Sequence, residues 1–261
     1  MNPEEDYYTT DDARALTTEV LITNGILLAT FAGGIVGLIP WWIGALIINV
    51  ALVRWMLGVH ELFHIQDYKA ANPLARLFLL PFTPVNIGYL EYRQAHLGHH
   101  RDTANADDPD AFHIRGGHLR SFIGALLFPE GSVLNYLQNE ENVINWWEVA
   151  LRLSLFIGLA TWGGGSFWLY WALLRINYAI SVWVFFHHLH YRNGEYGSFA
   201  LPLAKPLKAY FGLVYGKAAL YATMHHDTHH LYPKVKAVRL PALAERIQAK
   251  ETEAEELREA G

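Results

Sequence analysis

Two long apolar stretches, each broken by a turn, alternate with polar segments along this chain. The first runs from about Thr18 to Ile39, is interrupted at Pro40, and resumes from Trp41 to about Val59. The second runs from Trp147 to about Trp162, breaks at Gly163-Gly164-Gly165-Ser166, and returns from Phe167 to about His188. A helix rises ~1.5 Å per residue, so ~20 apolar residues match the ~30 Å hydrocarbon core of a bilayer. Pro40 with Gly37, and the glycine run, fit tight turns between antiparallel helices. The pattern predicts an all-α, integral membrane fold with four transmembrane helices in two hairpins. Soluble helical hairpins are the alternative, but two with so few charges are hard to bury in 261 residues.

The segment from Tyr68 to Trp146 is too polar to span. It predicts a short interfacial helix over Leu74–Pro84, a helix over Tyr89–Arg101 and a loop over Thr103–Asp110. From Pro241 a charged amphipathic helix is expected, fraying into Lys250–Gly261. The chain thus divides into an N-terminal segment (1–17), a membrane domain (18–243) and a charged tail (244–261).

Composition agrees with the membrane. Hydrophobic residues make up 52% of the chain and charged residues 17%, too apolar for an ordinary soluble domain. There is no cysteine, which excludes disulfides, thiolate-bound zinc and iron–sulfur centres. The net charge of -5 offers no footprint for nucleic acid. The acidic stretch Met1–Asp12 lacks the basic start of a signal peptide, so no cleavage is expected. Neither hairpin turn contains Lys or Arg. The positive-inside rule then places the N-terminal, central and C-terminal segments, and both termini, in the cytoplasm.

Three tight histidine clusters stand out: His60 with His64, His96 with His99 and His100, and His226 with His229 and His230. Positions i, i+3 and i+4 share a helix face, so each cluster aims its imidazoles one way. Imidazole suits iron, copper, nickel and zinc. With the topology above, all three clusters meet at the cytoplasmic side, as if building one polynuclear metal site. Polar residues within the spans form two stripes. Asn49 precedes His60, and Asn177 precedes His188, by about three turns, which returns each pair to nearly the same face. His188 is therefore a better ligand candidate than His187. Asn177 and Ser181 could equally hold helices together, and Arg175 could pair with a buried acceptor or snorkel.

The ordered trio HxxxH, HxxHH and HxxHH, with one hairpin ahead of the first box and the other between the second and third, resembles the membrane fatty-acid desaturase superfamily, from about Thr18 to Leu243. Leu231-Tyr232-Pro233 and Arg239-Leu240-Pro241 resemble that family's ending. Asp107-Asp108-Pro109-Asp110 resembles a stretch in its carotenoid ketolases, whereas His60-Glu61 departs from their usual first box. The resemblance implies a cytoplasmic helical cap holding two iron ions, with O2 as co-substrate. It implies a ligand set of His60, His64, His96, His99, His100, His188, His226, His229 and His230, where His188 matches a ligand at the end of the fourth helix. His113, His187, His190 and His225 are left outside this set. Asp227, Asn177, Asn49 and Asp108 are candidates for support behind the ligands, and Glu61 and Asp67 could also orient rings.

Reductive oxygen chemistry needs electrons, and no dinucleotide fingerprint or cysteine is present. An external donor is implied: a ferredoxin, a rubredoxin or a cytochrome b5 with its reductase. Lys234, Lys236 and Arg239 could steer an acidic donor. The expected function is an oxygen-dependent oxidoreductase of lipid metabolism, foremost a fatty acyl desaturase acting on a membrane lipid. A carotenoid ketolase or hydroxylase, or another lipid hydroxylase, is the alternative within the family. Two readings come from other classes. Glu61 makes the first box HExxH, a zinc-protease signature, but that leaves two boxes unused. A metal transporter would need ligands along a path through the membrane.

Overall fold

The structure, a computed structural model, describes residues 6–65, 83–103, 105, 107–138 and 144–259. The expected helix at Leu74–Pro84 falls almost wholly outside them, as does Asp67. Helix α1 spans Thr10–Ile35 and α2 spans Trp41–Phe63. The apolar run placed the start of α1 two turns too late. Thr9 and Asp12 form a reciprocal capping box, with Thr9 N donating to Asp12 Oδ2 at 2.8 Å, and this starts the helix in polar sequence. Gly37, at φ +76°, lets the chain leave α1. Helix α2 continues past Val59, so that His60 occupies its last turn and His64 caps it.

The central segment contributes α3 (Tyr89–Asp102), α4 (Ala111–Ile114), α5 (His118–Leu126) and α6 (Phe128–Leu137). Helix α7 spans Trp146–Val182 but is interrupted at Gly164, whose φ of 49° and ψ of -130° are not helical. Phe156 lies 5.2 Å from Phe167 and 6.0 Å from Trp171 between ring centroids. In a straight helix Phe156 and Trp171 would stand about 22 Å apart along the axis. The chain therefore doubles back at Gly164, within the expected glycine turn. Among the described residues, three helices are long and apolar enough to cross a membrane, Thr10–Ile35, Trp41–Phe63 and the folded Trp146–His190.

The two hairpins pack around Phe31, Ile48, Leu52, Phe167 and Leu174, all buried. The Tyr170 ring fills the space that a Cβ at Gly34 or Gly44 would need, and its hydroxyl donates to the Ile39 carbonyl. Outward, Ile22, Leu46, Ile157, Leu169 and Ile176 are exposed, as expected of helix faces meeting lipid rather than water. Arg175 is buried in α7 and does find an acceptor. It donates to the Leu126 carbonyl at 2.5 Å and to Glu130 at 2.9 Å.

After α7 the chain winds as a π helix over Trp183–His187 and then forms α8 (His188–His190). A small antiparallel hairpin follows, β1 (Tyr191–Arg192) with β2 (Glu195–Tyr196). It is a departure from the all-α expectation. Asn193 and Gly194, at φ 54° and 88°, make its two-residue turn, a combination that favours this geometry. Helices α9 (Lys205–Val214), α10 (Lys217–Met224), α11 (His226–Leu231) and α12 (Leu240–Glu259) complete the fold. Helix α12 does not fray at Lys250, because Ala, Glu, Leu and Arg continue its good helix formers.

The N-terminal residues strap onto the segment before α12. Tyr8 N donates to the Lys234 carbonyl at 3.2 Å, and Lys236 N to the Asp6 carbonyl at 3.0 Å. Lys236 pairs with Asp12 at 2.7 Å and Arg239 with Asp6 at 3.4 Å. Two of the three cations considered for steering a donor are thus engaged within the chain.

Candidate metal centre

Four short pieces of helix bring the histidines together. The end of α2 supplies His60 and His64, and one face of α3 supplies His96, His99 and His100. The end of α8 supplies His190, and α11 supplies His226, His229 and His230. They sort into two groups. In the first, one ligand nitrogen from each of His60, His64, His96, His100 and His229 lies within 4.8 Å of all the others. In the second, His99, His190 and His230 do the same. His226 joins them, with its Nε2 at 2.9 Å from that of His190 and 3.1 Å from that of His230. The groups abut, and the rings of His100 and His230 stack at 4.1 Å.

Eight of the nine expected ligands fall in these groups. His188 does not. Its ring packs on Trp183 at 4.6 Å and on His118 at 5.8 Å, and its place is taken by His190. The stripe from Asn177 to His188 assumed a uniform helix of ~100° per residue. The π turn over Trp183–His187 breaks that advance just before the site, a feature that recurs at functional sites. His187 faces away as well, with its Nδ1 at 2.8 Å from the Ile114 carbonyl. His113 is buried beside Asp110 at 3.5 Å and belongs to neither group.

The donor set fits metal ions. Two nitrogens at right angles, each roughly 2.1 Å from one ion, stand about 3.0 Å apart. The Nε2 atoms of His64 and His96 are 2.9 Å apart, those of His96 and His100 3.1 Å, and those of His99 and His190 3.1 Å. Such a contact is an N–H···N hydrogen bond when one ring carries its hydrogen on Nε2; when both carry it on Nδ1, as His99 and His190 do, two lone pairs face each other and a cation between them would satisfy both. Burial, reinforced by neighbouring rings, pushes His64, His96, His100, His226, His229 and His230 well below the usual histidine range. Neutral imidazole is the form that ligates.

Outer hydrogen bonds set the tautomers. His99 donates from Nδ1 to Asp108 at 2.9 Å, and His190 from Nδ1 to the Gly197 carbonyl at 2.8 Å. Thr103 gives its hydroxyl hydrogen to the His99 carbonyl at 2.5 Å, so it accepts from His230 Nδ1 at 3.0 Å. Each ring is left with its Nε2 lone pair facing inward, the arrangement that hydrogen-bond partners on the outer nitrogen impose at metal sites. In the first group His60 donates to Glu61 at 3.0 Å. Glu61 thus leans on a ring instead of standing free as a base.

The other supports expected from sequence fare differently. Asp227 accepts from its own helix start, Thr228 N at 2.7 Å. Asn49 donates to Asn177 at 3.1 Å and accepts from Tyr215 at 2.7 Å, and Asn177 also donates to the Leu173 carbonyl. These two residues tie helices together about three turns from the histidines. From sequence His190 is set aside in favour of His188, and Thr103, Tyr196 and Gly197 are not singled out at all. The Asn193-Gly194 pair was a readable hairpin signal that would have pointed to the last two.

A largely apolar cavity runs up to both groups. Trp55, Phe63, Phe128, Val182, Phe186 and Leu189 line it, and His60, His96, His99, His190, His226 and His230 form part of its wall. Such an arrangement can hold a hydrocarbon against two metal positions while keeping bulk water away. Neither a curated protein nor a solved structure matches the chain. A family model described as fatty acid desaturase matches residues 37–257, which takes in all three histidine boxes and the whole cavity. With that match the chain belongs to the fatty acid desaturase family, iron-using oxidoreductases of the desaturase and hydroxylase type.

Proposed function

We propose that the protein is a four-span membrane oxidoreductase that uses two irons and O2 to desaturate a fatty acyl chain. The observation that carries this reading is the pair of abutting all-histidine groups at the wall of one apolar cavity. His60, His64, His96, His100 and His229 would hold one iron, and His99, His190, His226 and His230 the other. When bound, the irons supply the oxygen chemistry that breaks an unactivated C–H bond. The chain's own part is positional. Its cavity takes an apolar chain out of the bilayer, aligns it along Trp55, Phe128 and Val182, and excludes water from the reacting carbon.

The doubled helix α7 and the turns without Lys or Arg support the topology of this proposal. In it four spans lie in the bilayer, and both termini, with the metal groups, would lie on the cytoplasmic side. Electrons come from an external donor of the ferredoxin, rubredoxin or cytochrome b5 class. The chain is expressed with such a donor in a host that makes both membrane lipids and β-carotene, and both pools are profiled by mass spectrometry. New double bonds in acyl chains support the proposal. Keto- or hydroxy-carotenoids replace it with the ketolase reading, which the Asp107–Asp110 stretch favours. Unchanged pools, with iron bound and donor present, reject both. Uptake of metal into vesicles without turnover would make it a transporter.

A further inference from the structure

The two histidine groups differ in what stands behind them. Three of the four rings in the second group are tethered through Nδ1 to the protein: His99 to Asp108, His190 to the Gly197 carbonyl and His230 to Thr103. In the first group, buried Nδ1 atoms of His64 and His100, and both ring nitrogens of His229, have no hydrogen-bond partner among the described residues.

The tethers of the second group converge on one small device. Tyr196 donates its hydroxyl hydrogen to Asp108 Oδ2 at 2.5 Å, and Asp108 in turn holds His99. The next residue, Gly197, holds His190. The Asn193-Gly194 turn thus aims two consecutive residues at two rings carried by different helices. Those rings have their Nε2 atoms 3.1 Å apart. Asp108 also accepts from Asp110 N at 2.8 Å, and the Arg115 guanidinium lies over the Tyr196 ring at 4.7 Å. The carboxylate therefore has little freedom to turn away from His99.

We infer that the two metal positions are unequal, and that Asp108, Tyr196 and Thr103 act as positioning residues that make the four-histidine position the tighter one. The inference rests on the two-iron reading above. A tethered ring needs no reorientation to bind, whereas an untethered one must be ordered by the metal itself. Removing an outer partner of this kind lowers metal affinity about 10- to 100-fold.

Release kinetics test it without reference to activity. Purified full-length protein is loaded anaerobically with Fe(II), and release to a ferrous chelator is followed. The expected result is two phases of equal amplitude, separated at least tenfold in rate. Asp108→Asn should quicken the slow phase about 10- to 100-fold, and Tyr196→Phe should quicken it less, since it acts through Asp108. Both should leave the fast phase unchanged, a selectivity that general loosening of the fold would not produce. Thr103→Val, on a different ring, should also move the slow phase alone and serves where an Asp108 variant fails to fold. Two equivalents released in a single phase, or variants that shift both phases alike, overturn the inference while leaving the two-iron reading in place. Fewer than two equivalents bound overturns the two-iron reading and this inference with it.

Discussion

The Nε2 atoms of His99 and His190 lie 3.1 Å apart, although the residues are 91 positions apart in sequence. This contact, and not one made by His188, completes the second histidine group. His190→Ala should therefore lower bound iron by about one equivalent per chain and reduce turnover to background. His188→Ala should leave iron content unchanged, since that ring packs on Trp183 and His118. Metal analysis of the two purified variants decides between them, and a loss of iron in the His188 variant alone would reverse the assignment.

His229 is almost completely buried, and among the described residues neither of its ring nitrogens is hydrogen-bonded. An unsatisfied buried polar group costs about 1–3 kcal/mol. A metal that binds the folded state repays such a cost and raises apparent stability. His229→Leu should therefore act with opposite signs in two states. Stripped of metal, the variant should unfold at a higher temperature than the stripped parent. Loaded with Fe(II), the parent should gain stability and the variant should gain far less. Thermal unfolding in detergent, with and without metal, measures both, and a stripped variant less stable than the stripped parent would refute the expectation.

Asn49 bonds to Asn177 and to Tyr215, and Asn177 bonds to Asn49 and the Leu173 carbonyl, rather than to the metal groups. Interhelical polar contacts within a membrane contribute about 0.6 kcal/mol on average, with a maximum near 1.7 kcal/mol. Asn177→Leu should destabilise the protein by about 1 kcal/mol and leave its iron content at the parental level. Unfolding by denaturant combined with metal analysis checks this. Iron loss at unchanged stability would restore these residues to the site.

Much of this architecture could be read in advance, and the failures have local causes. The three histidine boxes were legible because i, i+3 and i+4 positions share a face in any regular helix, and α3 and α11 are regular. The spans were legible because apolarity and length together leave few alternatives to a membrane helix. The glycine turn at Gly164 was placed correctly for the same reason that it exists, the left-handed φ it adopts. His190 was not legible, because the π turn before it destroys the periodicity on which its neighbour was chosen. Asp227 looked like a ring partner and proved to serve its own backbone, a competition inherent in a short acidic side chain. Arg175 lacked a readable partner because Glu130 lies far away in sequence and meets it only where the packing of α5 on α7 brings the start of α6 alongside.

Arg175 and Glu130 should show unequal costs when truncated singly. The Arg175 side chain is 8% exposed and that of Glu130 40%. Glu130→Ala leaves a buried cation with one ion-pair partner fewer. Breaking a buried pair costs about 3–5 kcal/mol, and the exposure of Glu130 reduces this to roughly 2 kcal/mol. Arg175→Met removes the buried charge itself and leaves a carboxylate that can reach solvent, so its cost should be smaller. The double variant should be closer to Arg175→Met than to the sum of the two. Equal single costs that add would show that the pair is not coupled.

The cavity offers the last test, because it separates substrate placement from metal binding. Val182 is a buried lining residue of this cavity on α7, and no histidine is tethered to it. Val182→Trp should fill part of the space with an indole, at a packing cost of about 1–3 kcal/mol. An acyl chain would then be excluded or held short of the irons. Misplacement by about 1 Å can cost on the order of 100-fold in rate, so turnover should fall at least tenfold while the iron content stays at the parental value. A smaller replacement, Val182→Ala, should keep turnover within a few-fold but move the position of the new double bond or broaden the chain lengths accepted. Product analysis by mass spectrometry reads both variants. If Val182→Trp keeps full activity with unchanged product positions, the substrate does not occupy this cavity and must approach the histidine groups from another side.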